Sequence, residues 1–132
     1  MPTHIQRVLN VDDNEMDRCV HERKIQSHDS AIEVHDAVDG RVAFDVLEAG
    51  DFWPDLILLD VNMPVLDGFE FLDLCKETYG DKSPSVVLML SSMFQDRDID
   101  RMPDYPMIVG TMVKPLIADW YPAISAMLAE RA

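Results

Sequence analysis

Short apolar runs alternate with longer amphipathic stretches along the whole chain. The runs are four to seven residues long and rich in aliphatic side chains. Such runs are typical of strands in a parallel sheet that is covered on both faces. We therefore predict strands at Ile5–Val11, Ile32–His35, Leu56–Leu59, Ser85–Leu90 and Met107–Val113.

The stretches between these runs have the spacing of apolar residues that predicts helices. Gly50 is suited to end the second helix, and Asp119 is suited to cap the last. On the first helix, Met16, Cys19 and Val20 are predicted to face inward. The predicted helices are Glu15–Ser27, Arg41–Glu48, Phe69–Tyr79, Gln95–Met102 and a last one from Asp119 to about Ala129.

Five strand–helix units in this order predict an α/β fold. We expect one five-stranded parallel sheet in the flavodoxin-like order 2-1-3-4-5, with helices on both faces, as a single three-layer domain. The length of 132 residues suits one domain with one full core. Because no linker, repeat or low-complexity tract interrupts the pattern, we expect residues 1–132 to be a stand-alone module without an output domain.

The composition narrows the classes of partner. With 25 acidic and 11 basic residues, the net charge is −14, which argues against nucleic acid or an anionic membrane as a direct partner. No apolar stretch has the length of a membrane span, and the first residues lack the apolar core of a signal peptide. Cys19 and Cys75 have no metal-ligand spacing, which fits a reducing compartment. We expect a cytoplasmic protein.

Acidic residues end two of the predicted strands. Asp12 and Asp13 follow the first strand, and Asp60 follows the third. Since parallel strands place their carboxyl ends at one edge of the sheet, these three carboxylates should lie close together. Their mutual repulsion calls for a proton or a cation, and a hard divalent ion such as Mg²⁺ prefers such oxygen ligands.

Two further polar residues belong to the same edge. Ser91 directly follows the fourth predicted strand, and Lys114 directly follows the fifth. A carboxylate, Mg²⁺, a fixed cation and a hydroxyl donor are what the transfer of a phosphoryl group to an aspartate needs. Taken singly, each of these residues could be a helix cap, a turn residue or a solvated side chain.

Together these motifs resemble the receiver domain of response regulators in two-component signalling, and the stand-alone, chemotaxis-regulator-like type in particular. The residues that carry the resemblance are Val11-Asp12-Asp13-Asn14, Asp39-Gly40, Asp60-Val61-Asn62-Met63-Pro64-Val65-Leu66-Asp67-Gly68, Ser91 and Lys114-Pro115. The motifs span nearly the whole chain in the order and spacing of that family.

The resemblance implies a role for each site residue. Asp60 would accept the phosphoryl group, and Ser91 and Lys114 would contact that group. Mg²⁺ would be held by Asp13, Asp60 and the backbone carbonyl of Asn62, with Asp12 acting largely through water. A cis peptide bond between Lys114 and Pro115 is also implied.

The resemblance further implies how the molecule would signal. A sensor histidine kinase or a histidine phosphotransfer protein would donate the phosphoryl group, docking by analogy on the first helix and the loop after the fifth strand. The protein would be a phosphoacceptor that assists its own phosphorylation and dephosphorylation, not an enzyme. Readout would be altered protein binding or phosphorelay by a monomer or weak homodimer. Thr111 departs from the family pattern, because many receivers carry a switching aromatic residue there.

Other interpretations stay open at this point. A haloacid-dehalogenase-type phosphatase, a flavodoxin-like electron carrier and a degenerate receiver that acts only as a scaffold are the alternatives. Asn62 stands where such a phosphatase has a second Asp, and the Asp12-Asp13 pair would repel the phosphate of a flavin. We expect Asp67-Gly68 to be only a turn. The four histidines are expected at the surface: His4, His21, His28 and His35.

Overall fold

One parallel sheet of five strands forms the centre of the molecule, in the order β2-β1-β3-β4-β5. The computed structural model describes residues 5–61, 67–90, 100 and 102–131. The strands are β1 (Arg7–Val11), β2 (Glu33–Ala37), β3 (Leu56–Asp60), β4 (Ser85–Leu90) and β5 (Ile108–Val113). The helices are α1 (Glu15–His28), α2 (Gly40–Ala49), α3 (Gly68–Tyr79) and α4 (Trp120–Arg131). The predicted α/β fold and strand order are confirmed.

Alternate residues of the central strands supply two separate cores, one on each face of the sheet. In β3, Leu56 and Leu58 face one core, while Ile57 and Leu59 face the other. The first core includes Ile25 of α1 and Ile124 of α4, and the second is shared with α2 and α3. This period of two follows from the pleat of a strand that is buried on both sides. The three-layer arrangement was therefore predicted correctly.

The predicted bounds agree closely with the structure where the pattern is apolar throughout. β4 has the predicted bounds, and β3 extends one residue further, to Asp60. β2 differs more, since it ends at Ala37, two residues after the predicted end. The reason is that β2 lies at the edge of the sheet and carries mostly exposed or half-buried residues, which give no apolar run. The helix predicted at Gln95–Met102 lies largely outside the described residues.

The inward face predicted for α1 is wrong. Met16 is 77% exposed, Val20 is 37% exposed and Cys19 is also exposed, whereas the buried residues are His21 and Ile25. The sheet beneath the start of α1 is polar, which removes the reason for an apolar helix face there. A buried asparagine of β1, Asn10, donates one hydrogen bond to the backbone carbonyl of Arg18 (3.1 Å) and one to the carboxylate of Asp36 (3.2 Å).

Two aromatic residues, one on each side of β5 in the sequence, belong to the core. Tyr105 is 6% exposed and Trp120 is 2% exposed. Tyr105 packs with the α2 and α3 side of the sheet and Trp120 with the other side. Within the part of the chain that the structure describes, no helix combines the length and the apolar character that a membrane span requires.

Candidate functional site

Three carboxylates meet at the carboxyl edge of the sheet, as the sequence predicts. Asp12 follows β1, Asp13 comes next, and Asp60 is the last residue of β3. One oxygen from each of them lies within 4.8 Å of the other two. Asp12 and Asp60 are buried, while Asp13 is exposed. The edge therefore has a deep part and a part that is open to solvent.

The backbone and α1 hold Asp12 in place. Its N–H donates to the carbonyl of Ala37 on β2, and one of its carboxylate oxygens accepts from the N–H of Asn14 (2.9 Å). The guanidinium of Arg18 donates to the Asp12 carbonyl (2.8 Å). Asn14 in turn caps α1, because its side chain accepts from the N–H of Asp17. The turn from β1 into α1 thus fixes where the first carboxylate points.

Lys114, the residue after β5, brings a positive charge into this cluster. Its ammonium nitrogen lies 2.7 Å from a carboxylate oxygen of Asp12, 3.1 Å from one of Asp17 and 3.4 Å from one of Asp60. The N–H of Lys114 donates to the carbonyl of Leu90 on β4, which anchors the backbone at this point. The peptide bond to Pro115 is cis, as expected.

The carboxylates keep Lys114 protonated. Burial alone would lower the pKa of the ammonium, but the hydrogen bond to Asp12 and the charges of Asp60 and Asp12 outweigh it, with a smaller contribution from Asp17. The net result is a pKa above the ordinary lysine value. Lys114 is therefore a fixed cation at neutral pH.

The Asp67-Gly68 pair is more than a turn, because it begins α3 and lies against the end of β3, where Asp60 is. Asp67 caps this helix, and its side chain and that of Glu70 form a capping box. Gly68 is the first helical residue, and a Cβ there would lie 2.9 Å from the Asp60 carbonyl oxygen and 3.0 Å from the Cα of Val61. Only glycine permits this close approach of α3 to the end of β3.

The donor set fits a hard divalent cation. Asp12, Asp13 and Asp60 bring three carboxylates to one small region, and Lys114 forms ion pairs with two of them, Asp12 and Asp60. Opposite oxygen ligands of octahedral Mg²⁺ lie about 4 Å apart, so the spacing of the Asp12, Asp13 and Asp60 oxygens is within reach of one ion. The excess negative charge supplies the attraction.

Two of the predicted site residues cannot be placed. Asn62 and Ser91 lie outside the described residues. Thr111, which stands where many receivers have an aromatic residue, is half-buried in β5 and is paired in register with Leu88 of β4.

Sequence reasoning missed two residues near this edge. Asp17 was not among the predicted site residues, yet it forms an ion pair with Lys114. His21 was predicted at the surface, yet it is 1% exposed, and neither ring nitrogen has a hydrogen-bond partner within the described part of the chain. Burial lowers the pKa of His21, and Asp12 opposes this in part. Asp17, His21 and Ile25 follow one another at a spacing of four, which places them on one face of α1, and the apolar Ile25 was the available signal that this face is the inward one.

Comparison with known proteins assigns the chain to a family. The model of the response regulator receiver domain matches residues 8–118. Among curated relatives, the protein-glutamate methylesterase/protein-glutamine glutaminase of Escherichia coli (strain K12) is 38% identical over 87 residues, or 66% of this chain. The alignment covers 23% of that relative, and 26% of its counterpart from Shigella boydii, so the chain spans about a quarter of their length.

Solved structures agree over almost the whole chain. A two-component response regulator from Legionella pneumophila has a TM-score of 0.81 at 26% identity, covering 95% of this chain and 98% of that one. The chemotaxis response regulator CheY4 of Vibrio cholerae has a TM-score of 0.73 at 26% identity, covering 95% and 99%. A response regulator from Cytophaga hutchinsonii has the same fold, with a TM-score of 0.83 at 24% identity over 96% and 98%. These matches favour the receiver over the phosphatase and flavodoxin alternatives.

Proposed function

The chain belongs to the response regulator receiver domain family of two-component systems, and on that premise we propose that it is a phosphorylation switch with Asp60 as its phosphoacceptor. The observation that carries this proposal is the meeting of Asp12, Asp13, Asp60 and Lys114 at one edge of the sheet. Three of the five strands contribute to this group, which a purely structural set of caps and turns does not require.

The reaction is the transfer of one phosphoryl group. A carboxylate oxygen of Asp60 attacks phosphorus, a new O–P bond forms, and the P–N bond to the donor histidine breaks, with the electron pair leaving on the imidazole. Asp13 and Asp60, with Asp12 through water and the carbonyl of Asn62, would hold Mg²⁺. When bound, that ion would bring the anionic donor and the anionic nucleophile together.

Residues of the chain would stabilise the product. Lys114 is a permanent cation near Asp60, so it can pair with an oxygen of the new phosphoryl group. Ser91 would donate a hydrogen bond to the same group. The change in charge at this edge would then bias the neighbouring surface towards a different protein partner, or the group would pass on to another histidine.

The partner we propose is a histidine kinase or a histidine phosphotransfer protein. Exposed apolar side chains next to the site supply a surface for it: Met16 and Val20 on α1, and Ile117 after β5, which is 50% exposed. Lys24 of α1 donates a hydrogen bond to the carbonyl of Leu116, so helix and loop are in contact. We name Met16, Val20 and Ile117 the α1 apolar surface.

The first prediction concerns the modification itself. Incubation with acetyl phosphate and Mg²⁺ should add one phosphoryl group, detectable by intact-mass analysis. Asp60→Asn should remove the label, because an amide cannot form the acyl phosphate. Omission of Mg²⁺ should reduce labelling to background. Asp51→Asn, which removes an exposed carboxylate before β3, is the matched control and should label like the wild type.

Two results would contradict the proposal. Labelling that persists in Asp60→Asn would place the phosphoryl group elsewhere. A wild-type protein that takes up no phosphoryl group from any donor would indicate the third alternative, a receiver that acts only as a scaffold.

A further inference from the structure

Lys114 is shared between the proposed phosphorylation site and α1. Its ammonium nitrogen lies 3.1 Å from a carboxylate oxygen of Asp17, nearer than the 3.4 Å that separates it from Asp60. The Asp17 contact is also a hydrogen bond. Asp17 is in the first turn of α1, where its backbone N–H is held by the capping side chain of Asn14. The position of Asp17 is therefore fixed by the helix and not by the strand edge.

Asp17 competes with Asp60 for the same cation. An ammonium has three N–H donors, and the two nearest carboxylates, those of Asp12 and Asp17, each engage it. Both contacts draw the Lys114 nitrogen to the α1 side of the site. The side chain of Lys114 is 15% exposed, so its attraction to these carboxylates is only partly screened by solvent.

Asp17 differs from the other partners of Lys114 in one respect. Asp12 and Asp60 belong to the cluster whose oxygens fit one divalent ion, whereas Asp17 is not part of that cluster. A bound cation would offset the charge of the cluster and weaken its hold on the ammonium. Asp17 would keep its full charge, and it would then be the main group that opposes movement of Lys114 towards a phosphoryl group on Asp60.

We propose that Asp17 is a positioning residue that holds Lys114 on the α1 side and thereby favours the unphosphorylated protein. Lys114 must leave Asp17 to pair with the phosphoryl group. Because the side chain of Asp17 is 38% exposed, it can be hydrated once released, so the restraint is moderate. The inference rests on the proposed function and adds a residue of α1 to the residues that set how stable the phosphorylated form is.

The test uses beryllofluoride, which mimics a phosphoryl group on a carboxylate, with the full chain saturated with Mg²⁺. Binding is followed by two-dimensional NMR. Asp17→Asn keeps the size of the side chain and removes its charge, and it should bind beryllofluoride about fivefold more tightly, as expected for loss of a half-exposed ion pair. Asp17→Glu restores the charge and should return the affinity towards that of the wild type.

Two controls separate the restraint that Asp17 places on Lys114 from the effect of removing one negative charge. Glu15→Gln removes another carboxylate from the first turn of α1, with the same effect on net charge and helix dipole, and should bind like the wild type. In a Lys114→Gln background, Asp17→Asn should change the affinity little, because the group it restrains is gone. A purely structural role of Asp17 would not produce this dependence on Lys114.

The outcomes distinguish the inference from the proposed function. Equal affinity of the wild type and Asp17→Asn, with binding abolished in Asp60→Asn, overturns the inference alone. A gain that Glu15→Gln shares, or that persists without Lys114, also overturns it, since charge alone then accounts for the effect. Failure of the wild type to bind beryllofluoride overturns the proposed function and the inference together.

Discussion

Lys114 and His21 lie near the same acidic edge, but their surroundings act on them in opposite ways. Burial favours the neutral form of both side chains. Lys114 contacts three carboxylates directly, and these outweigh burial, so its pKa rises. His21 has no hydrogen-bond partner within the described residues, so burial dominates and its pKa falls. Direct contact with a carboxylate decides which side chain carries charge.

The state of His21 predicts a pH dependence of stability. Its folded pKa is below the ordinary value of 6.5, so the unfolded chain takes up a proton at a higher pH than the folded chain does. The contribution of His21 to the free energy of unfolding is therefore fully present above pH 6.5 and decreases as the pH falls below that value. The decrease is at most about 1.4 kcal/mol per pH unit. Urea unfolding between pH 7.5 and pH 5.5 measures this loss.

Substitution of His21 tests whether this residue causes the loss of stability at low pH. Asp12 and Asp17 favour protonation of His21, while Lys114 and Lys24 oppose it, and all four stay in place in a His21→Leu variant. This variant should lose most of the slope between pH 6.5 and pH 5.5. His35→Gln, at an exposed histidine, should keep it. An unchanged slope in His21→Leu would mean that other groups cause the acid sensitivity.

At the scale of elements, the strands and the bounds of α1 were predictable, whereas the inward side of α1 was not. A strand buried on both faces must be apolar along its length, which is why Ser85–Leu90 was predicted with its observed bounds. The inward side of α1 depends on what lies under it, and Asn10 makes that part of the sheet polar. The ion pair between Asp17 and Lys114 joins residues 97 positions apart, so only the docked helix reveals it.

The contact between α3 and β3 could not be predicted from the sequence either. An Asp-Gly pair is a common turn signal, and nothing in the pattern indicates that the Cα of Gly68 lies against the backbone of Asp60 and Val61. Both neighbours are backbone atoms at the end of a central strand, so they cannot move aside as a flexible side chain can. The geometry of the proposed phosphoacceptor therefore depends on a residue with no side chain.

Gly68→Ala should disturb both stability and phosphorylation. Its methyl group must push the start of α3 away from β3, at a cost of about 1–3 kcal/mol in the free energy of unfolding. The displacement acts on Asp60, so labelling by acetyl phosphate should also slow. Gly50→Ala is the matched control, because Gly50 has a φ of 79° at the far end of α2 and is strained by a side chain without touching the site. Equal labelling rates for the two variants would contradict this account.

At the scale of the whole molecule, charge is distributed unevenly. The chain carries a net charge of −14, yet Glu15–His28 contains three acidic residues, three basic residues and two histidines, so α1 is close to neutral. An acidic surface repels other acidic proteins, whereas a surface without net charge does not. On the proposed function, we therefore expect a phosphodonor to approach the site over α1 and the α1 apolar surface.

The α1 apolar surface should matter for a protein donor and not for a small one. A double variant, Met16→Ala with Ile117→Ala, removes two exposed side chains on either side of the contact between α1 and the loop after β5. Transfer from the histidine phosphodonor that phosphorylates the wild type most rapidly should slow about tenfold, as expected for loss of central interface contacts. Labelling by acetyl phosphate, which needs no docking, should be unchanged.

Comparing the protein donor with acetyl phosphate separates loss of docking from damage to the phosphorylation site. Val42→Ala removes an apolar side chain that is 37% exposed from α2, on the other face of the sheet, and should leave both rates unchanged. If the double variant slows both donors equally, the substitutions have damaged the site and the surface has no separate role. If it slows neither, the partner docks elsewhere, and the neutrality of α1 does not select the phosphodonor.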